Sequence, residues 1–174
     1  VDAGVAADFA EFGVNQHPQL LDYKVRLGSR DALAEPAMTL EECIAALQSG
    51  MEIAKALEGN LLICGEMGIG NTSAASLLLA KLTDTPLAEC IGRGTGLDET
   101  GLQHKLQVLS QVLKRYEAVT EPLEILAAVG GLEIAMMAGA YIQAAHDRRV
   151  LLVDGFIASS ALLVAERLVP GVSQ

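Results

Sequence analysis

Leu61-Leu62-Ile63-Cys64-Gly65-Glu66-Met67-Gly68-Ile69-Gly70-Asn71-Thr72 is the stretch on which the fold turns. The apolar run Leu61–Cys64 is too short for a helix and is bounded by Gly65, so it predicts a buried strand. An Ala/Leu helix follows from Ser73 to about Leu82. The glycines at 65, 68 and 70 permit positive φ and leave room for a ligand to approach the backbone. The helix that follows offers unpaired N–H groups and the positive end of its dipole, so a phosphate is the natural guest. The loop is not a P-loop, because no Gly-Lys-Ser/Thr follows, and Ser73 stands where a dinucleotide fingerprint has its third glycine. Glu66 would repel a phosphate unless it faces something else. It either meets ribose hydroxyls or caps a local N–H.

Upstream, Thr39 predicts a helix N-cap, with Glu42 three residues on completing a capping box. Leu40, Ile44, Leu47, Met51, Ala54 and Leu57 recur at helical steps and predict the buried face, and Gly59-Asn60 stops the helix. Residues 7–39, with turn signals at His17-Pro18, Gly28-Ser29 and Glu35-Pro36, are expected to be a long irregular loop, and Val1–Ala6 to be a strand. Downstream, a short strand is expected at Ala88–Ile91. A second glycine loop follows, Gly92-Arg93-Gly94-Thr95-Gly96, with Asp98 as the N-cap of a helix carrying Leu102, Leu106, Leu109, Leu113 and Tyr116 on one side. Pro122 opens a short helix. Gly130-Gly131 precede an apolar helix ending near His146, Val150–Gly155 is a strand, and Phe156–Leu168 is the last helix. Strand, glycine turn and helix in repeated order predict an α/β fold with a parallel sheet, whose ligands lie at the carboxyl ends of the strands.

Composition narrows the function. Of the 174 residues, 51% are apolar and 3% aromatic, so the core is built from Ala, Leu, Ile, Val and Met. The formal charge is −10 and the twelve basic residues are scattered, which argues against a nucleic-acid partner. No run reaches the ~18 apolar residues of a membrane span. Cys43, Cys64 and Cys90 lie in no C-x-x-C spacing and read as reduced core thiols of a cytoplasmic protein. His17, His104 and His146 have no partner at ligand spacing, so no metal is expected.

Lys105 flanks the apolar face of its helix. It can reach over the sheet edge to neutralise a phosphate, or snorkel at the surface. Arg93 either serves that phosphate or pairs with Asp98 or Glu99. Asp154, at a strand end, either contacts a ligand or caps the last helix, and Glu133 is a carboxylate in a nearly all-apolar helix. A dinucleotide-dependent oxidoreductase would need a ribose-binding acid near Glu89, and the glycine pattern fits it poorly.

Gly65–Thr72, Gly92–Asp98, His104-Lys105, Val129–Ala135 and Asp154–Ile157 together resemble, in order and spacing, the nicotinate-nucleotide–dimethylbenzimidazole phosphoribosyltransferases, and Val1–Ala6 is similar to a mid-chain strand of that family. The resemblance covers essentially the whole chain. It implies a Rossmann-like α/β core flanked by helices, part of a larger two-domain fold, dimeric when intact and without metal or cofactor. It implies transfer of phosphoribose from nicotinate mononucleotide to 5,6-dimethylbenzimidazole, giving α-ribazole 5′-phosphate and nicotinate in cobalamin nucleotide-loop assembly. On this sequence the family's nucleotide-contacting residues fall on Glu66, Gly68, Gly94, Thr95 and Lys105. The chain opens on Val1 and stops at Gln174. It is therefore expected to be a nucleotide-binding core spanning 1–174, with the family's N-terminal base-binding region and C-terminal general-base glutamate outside it. No residue present takes the role of that base. The alternative is a non-catalytic nucleotide-binding or regulatory module on the same fold.

Overall fold

A computed structural model describes Ala3, residues 21–94 and residues 96–174. The order is α1 (Leu40–Ala56), β1 (Leu61–Ile63), α2 (Thr72–Thr83), α3 (Leu87–Cys90), α4 (Glu99–Arg115), α5 (Pro122–Val129), α6 (Leu132–His146), β2 (Val150–Leu152) and α7 (Phe156–Leu168). β1 and β2 pair in parallel, Leu61 with Val150 through Ile63 with Leu152. Parallel neighbours need a crossover, and α2 through α6 supply it. The α/β class and the helices flanking a parallel sheet are as the sequence predicts.

The capping box is present. Thr39 Oγ1 accepts from Glu42 N–H, and Glu42 returns the bond to Thr39 N–H at 2.8 Å. The buried face of α1 differs from the expected one. Of the expected residues Ala54 is buried and Leu47 is partly buried against the core, but Leu40, Ile44 and Leu57 are exposed, and the covered side also carries Cys43, Ala46 and Gly50. The reason is close backbone approach to α6. A Cβ on Gly50 would lie 1.8 Å from the Met136 carbonyl oxygen, and one on Gly139 would lie 1.9 Å from that of Leu47. Small residues allow this seam, and large ones are turned away from it.

Two further expectations need correction. Ala88–Ile91 is not a strand, because a helical turn starts after Pro86 and Ser76 Oγ donates to the Cys90 carbonyl at 2.8 Å. Leu61–Cys64 is not wholly buried, since Leu61 and Ile63 are exposed on one face of the strand pair while Leu62 is covered. The loop before α1 is irregular where described, and Ala37 and Met38 N–H groups tie it to the Ala128 and Ala127 carbonyls of α5. The proposed strand Val1–Ala6 lies outside the described residues apart from Ala3, which is buried and accepts from Val25 N–H at 3.2 Å. No helix among the described residues is long and apolar enough to cross a membrane. Cys43, Cys64 and Cys90 are free thiols, and burial pushes all three up from the ordinary thiol value.

Candidate functional site

The first glycine loop leaves the carboxyl end of β1 and runs into α2. Gly68 and Gly70 take φ of 75° and 85°, the left-handed region that a side chain disfavours. Gly68 N–H donates to the Glu66 carboxylate, so the local cap foreseen for Glu66 is present, on a side chain that remains exposed. The second loop comes up beside the first. Gly94 has φ 55°, and a Cβ there would lie 3.2 Å from Thr72 Oγ1 and 4.0 Å from Lys105 Nζ. Thr95 lies outside the described residues.

Lys105 does not snorkel. Its ammonium donates to Thr72 Oγ1 at 3.1 Å and to the Gly92 carbonyl at 3.4 Å, and partial burial pushes its pKa down from the ordinary lysine value. Arg93 pairs with Glu99 at 3.0 Å and donates to the Leu97 carbonyl. Asp98 caps α4 by accepting from Gly101 N–H at 2.7 Å. Asp154 does not cap α7, whose N-cap is Gly155 with no side-chain bond; it stays exposed just past β2.

The glycine loop is a wall between two cavities. The larger, about 830 Å³, runs from the carboxyl end of β1 to the start of α6, and its described lining is mostly Gly, Ala, Ile, Leu and Met. Glu66 and Glu133 are the charged residues in that lining. The smaller, about 340 Å³, is lined by Gly68, Gly70, Thr72 and Ser73 on one side and by Arg93, Gly94, His104 and Lys105 on the other. No carboxylate stands among its described lining residues. An uncapped helix start faced by cations is an anion site in chemistry, while an apolar cleft with two carboxylates suits an apolar group that carries positive charge.

The structure therefore brings Glu66, Gly68, Gly94 and Lys105 to the two sides of one loop. It adds residues that the sequence reading left without a role. Asn71 donates from Nδ2 to Glu133 Oε1 at 3.3 Å. Burial, with the Glu66 charge assisting, pushes Glu133 above the ordinary carboxylate value despite its bonds to its own backbone N–H and to Asn71. His104, read as a helix-surface residue, is exposed and also lines the smaller cavity. The position of Asn71 directly before a helix was the signal available for it.

The chain is similar to known proteins along its whole length. A phosphoribosyltransferase family model matches residues 1–174. The nicotinate-nucleotide–dimethylbenzimidazole phosphoribosyltransferase of Variovorax paradoxus is 51% identical over all of this chain and 48% of its own length. That of Cupriavidus necator is 50% identical over all of this chain and 50% of its own. Among solved structures, CobT from Thermus thermophilus superposes with a TM-score of 0.84 at 42% identity, over 90% of this chain and 48% of that one. A second, of the nicotinate-nucleotide–dimethylbenzimidazole phosphoribosyltransferase from the same organism, gives 0.86 at 38% identity, over 98% and 50%. The chain spans about half the length of the curated relatives it matches. With its whole length matched by that family model and relatives of this identity, the chain belongs to the nicotinate-nucleotide–dimethylbenzimidazole phosphoribosyltransferase family.

Proposed function

We propose that this chain forms the nucleotide-binding half of a cytoplasmic, homodimeric enzyme that transfers phosphoribose from nicotinate mononucleotide to 5,6-dimethylbenzimidazole in cobalamin nucleotide-loop assembly. The observation that carries the reading is the division of the site by one glycine loop, apolar and acidic on one side, basic on the other. The 5′-phosphate sits in the smaller cavity, against the α2 amides and Lys105, with Gly68 and Gly94 giving the backbone approach. The ribose and pyridinium ring enter the larger one, where Glu66 exchanges its bond with Gly68 N–H for the sugar hydroxyls.

The chemistry follows from charge. Nicotinate leaves an N-ribosylpyridinium as a neutral ring nitrogen, so no general acid is needed at the leaving group. The anomeric carbon gains oxocarbenium-like charge as the C–N bond breaks. A carboxylate held beside the ribose stabilises that charge. One benzimidazole nitrogen forms the new bond, and the proton on the other leaves to a general base. We assign that base, as the family resemblance implies, to a part of the protein outside these residues, and Glu66 to the sugar. Glu133 is held at the start of α6 and at Asn71.

The test is a transfer assay. The longer protein containing this chain is incubated with nicotinate mononucleotide and dimethylbenzimidazole, and α-ribazole 5′-phosphate is followed by chromatography. The expected result is product from the longer protein and none from a homogeneous chain with the 18.2 kDa mass of these residues. Product from the short chain would move the base to a carboxylate within it. Binding without product from the longer protein would leave a non-catalytic nucleotide module.

A further inference from the structure

An asparagine ahead of a helix ordinarily folds its side-chain oxygen back onto the N–H of the second or third helical residue. Thr39 and Asp98 cap α1 and α4 in that way. Asn71 stands in the same place before α2 and does not. Its backbone is helical, φ −103° and ψ −2°, where the two capping residues are extended. Its side chain is turned across to Glu133. Asn71 Oδ1 is left buried without a partner, a costly arrangement unless something enforces it.

Glu133 is placed to enforce it. Its carboxyl folds back over Gly131, and the absent side chain provides the room: a Cβ on Gly131 would lie 2.6 Å from Glu133 Oε1. The consequence falls on the smaller cavity. The first-turn amides of α2 have no intrahelical acceptors, and no side chain caps them. Thr72 and Ser73 line that cavity opposite Lys105. An asparagine free to cap would occupy the donors that an anion needs.

We infer that Glu133 is a positioning residue that holds the Asn71 side chain off the start of α2 and so keeps those amides open for phosphate. The inference rests on the reading of the smaller cavity as a phosphate site. Glu133 itself touches no phosphate. Its effect passes through Asn71, and this predicts a pattern that loss of structure would not produce.

Inorganic phosphate is titrated by calorimetry into the protein and into Glu133→Ala, Asn71→Ala and the double variant. Glu133→Ala frees Asn71 to relax to the extended backbone of an N-cap and fold its oxygen back, and affinity falls about fivefold, the equivalent of a typical N-cap. Asn71→Ala has no oxygen to fold back and keeps its affinity. In the double variant affinity returns to the Asn71→Ala level. Glu133→Gln, which retains an acceptor for Asn71 Nδ2, stays near the parent. Gly131→Ala, which puts a Cβ where the carboxyl lies, is a second route to the Glu133→Ala result should that variant not fold. Unchanged affinity in Glu133→Ala and Gly131→Ala, or a double variant as weak as Glu133→Ala, overturns the role. A parent protein that takes no phosphate overturns the phosphate assignment and this role with it.

Discussion

Lys105 Nζ donates to Thr72 Oγ1 at 3.1 Å, a bond that joins α4 to the first residue of α2 across the smaller cavity. It holds an ammonium at the uncapped start of a helix, where both the charge and the free amides attract an anion. Lys105→Ala is expected to lower affinity for nicotinate mononucleotide by roughly 10- to 100-fold, the range for a hydrogen bond to a charged group. Affinity for the phosphate-free riboside should hardly change. Equal losses for nucleotide and riboside would remove the phosphate role.

The α1–α6 seam leaves no room for a methyl group. The obstacles at Gly50 and Gly139 are backbone atoms of Met136 and Leu47, which cannot swing aside as a flexible side chain would. Gly50→Ala and Gly139→Ala are each expected to cost about 3 kcal/mol or more. For a chain of this size that lowers Tm by roughly 6–12 °C. The two share one interface, so the double variant should fall short of the sum. Thermal unfolding followed by circular dichroism reads this. A Tm within about 2 °C of the parent for either single variant would mean that the helices can separate.

Glu133 gives a pH dependence of definite sign. Its folded pKa lies above the ordinary value of 4.5, chiefly because burial disfavours the charged form. Its favourable contribution is therefore present below 4.5 and is lost as pH rises through the raised folded value. Glu133→Gln, which cannot ionise, should be more stable than the parent at pH 8, and the difference should shrink toward pH 4. Paired denaturant titrations at the two pH values test it. An advantage that grows on acidification would contradict the assignment.

Glu42 has the opposite sign. The Arg30 guanidinium, bonded to it at 2.5 and 3.0 Å, holds its carboxyl down at about 2, with the Thr39 N–H and Arg26 assisting. Its stabilisation is present above the ordinary carboxylate value of 4.5 and is lost as pH falls toward 2. Glu42→Ala removes half of the capping box as well as this pairing, and is expected to cost about 1–2 kcal/mol at neutral pH. Acid titration of the variant should lack part of the parent's loss below pH 4.5. An unaltered acid profile would mean that Glu42 is not the group responsible.

What can be read from the residues follows the range over which each signal acts. Thr39 with Glu42, Asp98, Pro122 and the Phe156–Leu168 helix are local signals, and the structure has them where the sequence suggests. The buried face of α1 escapes such a reading. Hydrophobic periodicity favours large side chains, while Gly50 and Gly139 select small ones through a contact between helices far apart in sequence. Ala88–Ile91 resembles a strand by composition, and Pro86 with the Ser76 bond to Cys90 makes it a helical turn. At the site, the glycine loops and Lys105 announce themselves through φ requirements and charge. The Asn71–Glu133 bond does not, because it joins residues 62 apart and only the folded chain brings them together.

The central claim is that one loop divides the nucleotide between a basic and an acidic cavity. Mapping amide and side-chain chemical shifts while nicotinate mononucleotide is added tests it most directly. The account predicts that the Thr72 and Ser73 amides and the Lys105 ammonium respond to the phosphate, with inorganic phosphate moving the same set. Resonances of Glu66, Met67 and Met137, in the larger cavity, should respond only when the ribosyl ring is present. Shifts that cluster away from both cavities, or a phosphate response confined to the larger one, would contradict it.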